Sequence, residues 1–134
     1  MERKSHILIP TLRRALANDD QLTQRPIDLH AYANDASHFL LTPQAVAIPN
    51  NAAEVGALLK ASAEIHLPLT FRSGGTSLSG QGVTDSLLVD VRKNFKDIEV
   101  LDNGARVRVQ PGVTVRALNA RLALYGRKFG PDPA

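Results

Sequence analysis

The sequence has 134 residues, enough for one domain with a core, since domains cluster near ~100–150 residues. Hydrophobic residues make up 43% and charged residues 22%, and 16 Lys+Arg against 13 Asp+Glu leave a formal net charge of +3 with no block of like charge. Binding to nucleic acid or anionic lipid through a basic tail needs such a block, so neither partner is expected. There is no cysteine, which excludes disulfides and Cys-ligated zinc or iron–sulfur centres from this chain, and no apolar run approaches the ~20 residues of a membrane span. The stretch Met1–Pro10 carries too few apolar residues for a secretory signal, and a cytoplasmic protein is expected.

Residues 1–40 read as an irregular, partly helical arm. Leu8, Leu12, Ala15 and Leu16 follow a helical period, with Pro10 tolerated in a first turn. Asn18–Arg25 is polar, lacks a period and is expected to be a loop. The pattern changes in residues 41–134. Ala45–Ile48 is a candidate strand closed by Pro49, and Asn51 with Glu54 three residues later predicts a capping box. Val55, Leu58, Leu59, Ser62 and Ile65 share one face of the helix that follows, which must stop before Pro68.

Leu69–Arg72 predicts the next strand, and Leu87–Val91 is apolar enough for a strand covered on both faces. Ile98–Leu101 and Arg106–Gln110 flank Asn103-Gly104, a strong hairpin signal, and the second of these strands alternates as if one face were wet. Thr114 caps a last helix bearing Val115, Leu118, Leu122 and Tyr125, with Gly126 suited to its C′ position. These elements predict an α+β fold: a small, mostly parallel β-sheet with packed helices plus a hairpin. The ending Gly130-Pro131-Asp132-Pro133-Ala134 is turn chemistry of the kind that introduces another element, which suggests a piece of a longer protein.

The chemistry-bearing stretch is Arg72-Ser73-Gly74-Gly75-Thr76-Ser77-Leu78-Ser79-Gly80-Gln81-Gly82, directly after a strand. Glycines reach positive φ without penalty and can turn main-chain N–H groups into an anion-binding concavity, to which Ser73, Thr76, Ser77 and Ser79 add hydroxyls. A P-loop is excluded because Gln81 and Gly82 stand where Lys and Ser/Thr belong. A dinucleotide fingerprint beginning at Gly80 and Gly82 fails because Asp85 stands at its third glycine. A plain Gly/Ser connection remains the alternative from composition, whereas the position after a strand favours a ligand.

Arg72-Ser73-Gly74-Gly75-Thr76-Ser77 followed by Gly80 resembles the pyrophosphate loop of the flavoprotein superfamily containing vanillyl-alcohol oxidase, whose FAD domain is called PCMH-type. Pro43-Gln44-Ala45-Val46, Pro49 and Glu54-Val55 are similar to the opening strand and helix of that domain. Tyr32-Ala33-Asn34-Asp35-Ala36-Ser37 and Gly130–Ala134 resemble the branch of FAD-linked D-lactate dehydrogenases, glycolate oxidase subunits and D-2-hydroxyglutarate dehydrogenases. The resemblance implies that Ser73, Gly74, Gly75, Thr76 and Ser77 contact the FAD pyrophosphate, that Gly80 and Gln81 lie beside the cofactor, and that Pro131 and Asp132 begin a second flavin-contacting segment.

Some relatives attach FAD through a histidine where this chain has Thr76, so a non-covalent flavin is expected. The implied reaction oxidises a small 2-hydroxy acid by hydride transfer to the flavin. The parts for that chemistry are expected beyond residue 134, so no catalytic residue is assigned and the chain alone should not turn over substrate. The reading of a different class is a non-enzymatic α+β module that binds a nucleotide or another anion.

Other candidates are weaker. Arg72 either neutralises a phosphate or caps its strand. Arg116, Arg121, Arg127 and Lys128 read as a solvated helix face with cations answering the macrodipole. His6, His30, His38 and His66 lack metal-ligand spacing, Asp90 suggests packing or capping, and Asn34-Asp35 suggests a turn.

Overall fold

Three short apolar segments form the centre of the molecule. In the computed structural model, which describes residues 9–131, strands β2 (Ala45–Ala47), β3 (Leu69–Arg72) and β4 (Leu87–Asp90) run parallel with β4 in the middle. The strand β1 (Leu22–Thr23) adds to the outer edge of β2 antiparallel, giving the order β1-β2-β4-β3. All four residues of β4 are buried, as its unbroken apolar run requires. Leu87 and Val89 join Ala45, Ala47, Leu58 and Ala61 in one cluster, while Val46 and Leu88, which alternate with them, are equally buried on the opposite face.

The helix α1 spans 9–13 and places Leu12 in that same cluster, with Ala15 and Leu16 packed against it just beyond the helix. The expected helical position Leu8 lies outside the described residues, as do His6 and Asp132. Asn18–Arg25 is not the loop it was expected to be. Asp19–Gln21 form a 3₁₀ turn and Leu22–Thr23 form β1, pairing Leu22 with Ala47. A two-residue strand is too short to show a period, and its partner lies more than twenty residues away, so local sequence gives no sign of it. A further helix, α2 (Pro26–Ala31), starts with proline at its first turn, where a missing N–H costs nothing.

The longest helix, α3 (Ala52–Glu64), crosses between β2 and β3. Asn51 caps it by accepting from the Glu54 N–H at 3.0 Å, but the reciprocal half of the box is displaced. The Glu54 carboxylate accepts from Asn50 N at 2.7 Å and from Gln21 Nε2 at 2.6 Å, which ties the helix start to the 3₁₀ turn. Leu58, Ala61 and Ser62 are buried and Val55 and Ile65 pack against the core; Leu59 instead is 45% exposed, because the buried stripe passes through Ala61.

The hairpin of β5 (Ile98–Leu101) and β6 (Arg106–Val109) closes with Leu101 opposite Arg106. Its turn takes positive φ at Asp102, Asn103 and Gly104, the conformation that Asn-Gly tolerates. Helix α4 (Val115–Ala123) buries Leu118 and Leu122 and is capped by Thr114 Oγ1, which accepts from Ala117 N. Gly126, at φ 62°, ends it through paired bonds from Arg127 N to Leu122 O and Gly126 N to Ala123 O. The expected α+β fold, a mostly parallel sheet with a hairpin, is therefore present.

Candidate functional site

Parallel strands cannot be joined by a tight turn, so the chain leaving β3 at Arg72 must travel back to the other edge before β4 begins at Leu87. Residues 73–86 do this without a helix. The first part stays at the carboxyl end of β3 and forms the glycine loop; Gly82, Val83, Thr84 and Ser86 then run back buried. Ligands of open α/β sheets gather at that carboxyl edge.

The main-chain N–H groups of Gly74, Gly75, Thr76, Ser77 and Leu78 have no acceptor among the described residues, and Gly74, Thr76 and Leu78 are exposed. Five successive main-chain donors that bond to nothing in the protein are free to meet an external acceptor. Gly75 (φ 67°) and Gly80 (φ 77°) use the left-handed region, where a side chain is strained. Space is short as well: a Cβ at Gly80 would lie 2.6 Å from the Phe39 ring, so the loop folds directly onto that aromatic.

The side chains divide into two groups. Ser73 Oγ donates to Pro111 O at 2.6 Å, and Ser77 Oγ donates to Gln81 Oε1 while accepting from Ser79 N and Gln81 N at 3.2 Å. These two hydroxyl protons, expected to face a phosphate, shape the loop instead. Thr76 and Ser79 hydroxyls have no partner among the described residues. Pro131 is exposed near the end of the described chain, and Asp132 lies outside it.

Arg72 turns back into the protein. Its Nη1 donates to the carbonyls of Asn34 at 2.8 Å, Tyr32 at 3.2 Å and Gly82 at 3.3 Å, and its guanidinium lies 5.4 Å from the centre of the Tyr32 ring. Asp35 accepts from Ser37 N at 2.8 Å and from Gly82 N at 3.2 Å, and Ala36 N donates to Gly75 O at 3.1 Å. A hydrogen bond from Ser37 chiefly holds the Asp35 carboxyl below its ordinary range, with the Gly82 N–H and Arg72 adding to it. Asn34 is not in the turn expected of it but in an isolated antiparallel bridge to Leu40; the chain bends at 36–38 after Asp35, whose carboxylate also fastens the glycine loop. Sequence reasoning missed this, because the bond spans 47 positions.

Tyr32 OH donates to Asp90 Oδ2 at 2.5 Å, and Asp90 also accepts from Arg92 N at 2.7 Å. Burial, followed by the bond to Asp90, pushes the Tyr32 hydroxyl up to about 12. Asp90 thus has the packing and capping role expected of it.

A large cleft lies elsewhere, a cavity of about 770 Å³ beside β1 and α2 whose lining includes Arg13, Arg25, Asp28 and Tyr32. Its arginines are already paired, Arg13 with Asp19 and Arg25 with Asp28. The main-chain donors that bond to nothing in the protein are instead in the glycine loop, where they can form an anion-binding concavity. Among the described residues, no three His, Asp or Glu side chains converge as metal ligands, and no helix is long and apolar enough to cross a membrane.

A family model described as a FAD binding domain matches residues 43–134. The chain is 32% identical over 109 residues to a D-2-hydroxyglutarate dehydrogenase of Pantoea ananatis, covering 78% of this chain and 11% of the relative. It is 36% identical over 110 residues to a D-lactate dehydrogenase of Archaeoglobus fulgidus, covering 77% and 25%. A glycolate oxidase subunit of Escherichia coli is 31% identical over 100 residues, covering 73% and 20%. The chain thus spans about a tenth to a quarter of the length of these relatives. Among solved structures, the 4-ethylphenol oxidase from Gulosibacter chungangensis superposes on all of this chain and 27% of its own, with a TM-score of 0.82 at 20% identity. An alkyldihydroxyacetonephosphate synthase gives 0.79 at 17% identity, over 96% of this chain and 28% of its own. At such identities these two share the fold.

Proposed function

The chain belongs to the family of FAD binding domains, and from that premise we propose that its glycine loop holds the pyrophosphate of a non-covalent FAD. The observation that carries this reading is the row of partnerless N–H groups from Gly74 to Leu78 at the carboxyl end of β3. A pyrophosphate offers several anionic acceptors, and it can approach this main chain closely because Gly74 and Gly75 carry no side chains. Ser73 and Ser77 contribute through the main chain, Thr76 through its hydroxyl as well, and Gly80 with Gln81 lines the cofactor's flank. Pro131 and Asp132 begin a second flavin-contacting segment.

Residues 41–134 are then the first part of a FAD domain, and 1–40 an arm that lends Leu12 and Leu22 to its core. The relatives support an oxidoreductase parent acting on a 2-hydroxy acid of the D-lactate, glycolate or D-2-hydroxyglutarate type. Bound there, the flavin would supply the acceptor for the hydride removed from the substrate's α-carbon. This chain's own residues orient the cofactor and add no acid or base to that chemistry.

Titrating the protein with FAD while following flavin fluorescence tests the reading. Saturable binding that inorganic pyrophosphate competes away is expected, and heat denaturation should release all of the flavin, since Thr76 offers no imidazole for attachment. Binding that pyrophosphate leaves untouched would place FAD elsewhere, and flavin that stays with the denatured chain would refute the non-covalent reading.

A further inference from the structure

The donors from Gly74 to Leu78 bond to nothing in the protein, so residues outside that row must hold them in place. The glycine loop is closed on itself: a Cβ on Gly82 would lie 3.7 Å from Gly75 Cα, so its two ends touch. One side chain from each flanking segment spans that junction. Arg72 reaches Gly82 O from the β3 side, and Asp35 reaches Gly82 N from the Tyr32–Ser37 side, so both polar main-chain atoms of Gly82 are fixed by charged groups. The Gly75 end is fixed by Ala36 N, and a Cβ there would lie 2.4 Å from Arg72 Nη2, so the guanidinium packs directly against that glycine. Arg72 also bridges the carbonyls of Tyr32 and Asn34, which joins the two segments.

Resting on the FAD reading, we propose that Arg72 and Asp35 are positioning residues that clamp the loop in its ligand-ready shape, and that Arg72 is not a phosphate contact. A phosphate-binding arginine presents its planar fork to the anion. Here one end of the fork is committed to three carbonyls and the other is packed under Gly75. The donors that meet the ligand are main-chain groups, and the charges behind them set their direction, so binding needs little reorganisation.

Asp35→Asn and Arg72→Lys separate the possibilities. An asparagine retains one accepting oxygen and cannot serve both Ser37 N and Gly82 N; a lysine keeps the charge but cannot bridge three carbonyls. In the 134-residue chain, hydrogen exchange of the bonded amides of Ala36, Gln81 and Gly82 is expected to quicken about tenfold in each variant while the β4 amides keep their protection. FAD affinity should fall by a similar factor, and the salt dependence of that affinity should keep its wild-type slope in a third variant, Arg72→Gln. Unchanged loop exchange in both Asp35→Asn and Arg72→Lys overturns the clamp whether or not FAD binds. A flattened salt slope in Arg72→Gln also overturns it, by making Arg72 a direct phosphate contact. Quickened exchange in a chain that binds no FAD leaves the clamp standing and removes the cofactor reading.

Discussion

In β4 every residue is buried, and side chains carry the packing while the main chain is spent on the ladders to β2 and β3. In the loop that precedes it the roles are reversed. From Gly74 to Leu78 the main-chain donors are unspent, and the shape is set by Arg72 and Asp35, which lie outside the row. The contrast teaches how each responds to mutation. Damage to β4 should cost stability above all, whereas damage to the loop should cost binding more than stability.

The largest effect is expected at the strand. Leu88 is fully buried in the middle of β4, so Leu88→Ala removes buried packing. A loss of about 3 kcal/mol in urea unfolding is expected, in line with buried Leu→Ala changes. A loss under about 1 kcal/mol would mean that β4 is not the centre of the core. Next comes Gly112, which sets the hairpin against the chain after β4. Its N–H donates to Phe95 O at 2.8 Å, and a Cβ would come within 2.5 Å of Arg92 O and 2.6 Å of Phe95 O. Those are backbone atoms and cannot swing aside, so Gly112→Ala should cost about 2 kcal/mol by thermal melting.

Gly75→Ala moves the test to the loop. Its φ of 67° costs an L-residue about 1–2 kcal/mol, and the new methyl displaces the guanidinium of Arg72. Stability should therefore fall less than for Leu88→Ala, while FAD affinity falls on the order of tenfold or more, which direct titration will show. An equal loss of stability with intact affinity would abolish the distinction between the two regions.

How much of each region could be read from the sequence follows from the same contrast. Leu69–Arg72, a strand from Leu87 (expected to Val91, ending at Asp90), the Asn103-Gly104 hairpin and the Thr114 cap were predictable because local residues determine them. The glycine loop was visible from composition, since only glycines and small hydroxyl residues permit such a turn after a strand. What holds the loop was hidden. The Arg72 bonds to Tyr32 and Asn34 span 40 and 38 positions, and no periodicity encodes a partner at that distance. β1 was hidden for the same reason, being two residues long and defined only by Ala47 and Val46 across from it. Ser73 and Ser77 were legible as hydroxyls but not as loop braces, because a hydroxyl's partner depends on the fold around it.

The smallest effect expected is at the hinge between the two regions, where Tyr32 faces both. Its hydroxyl is bonded to Asp90 at the end of β4, and its ring lies under Arg72. Burial and the Asp90 carboxylate raise it from near 10 to about 12, because both penalise the phenolate. An acid raised on folding contributes stability that is complete below its unfolded value and fades as pH climbs to its folded one. Stability should therefore be flat with respect to this group up to pH 10 and decline between 10 and 12, and Tyr32→Phe should remove that part of the decline. Ultraviolet titration should show a tyrosine step near 12, and that step should vanish in the variant. If instead Tyr32 ionises near 10, Asp90 does not hold it, and the strand and the loop are coupled through the Arg72 main-chain bonds without it.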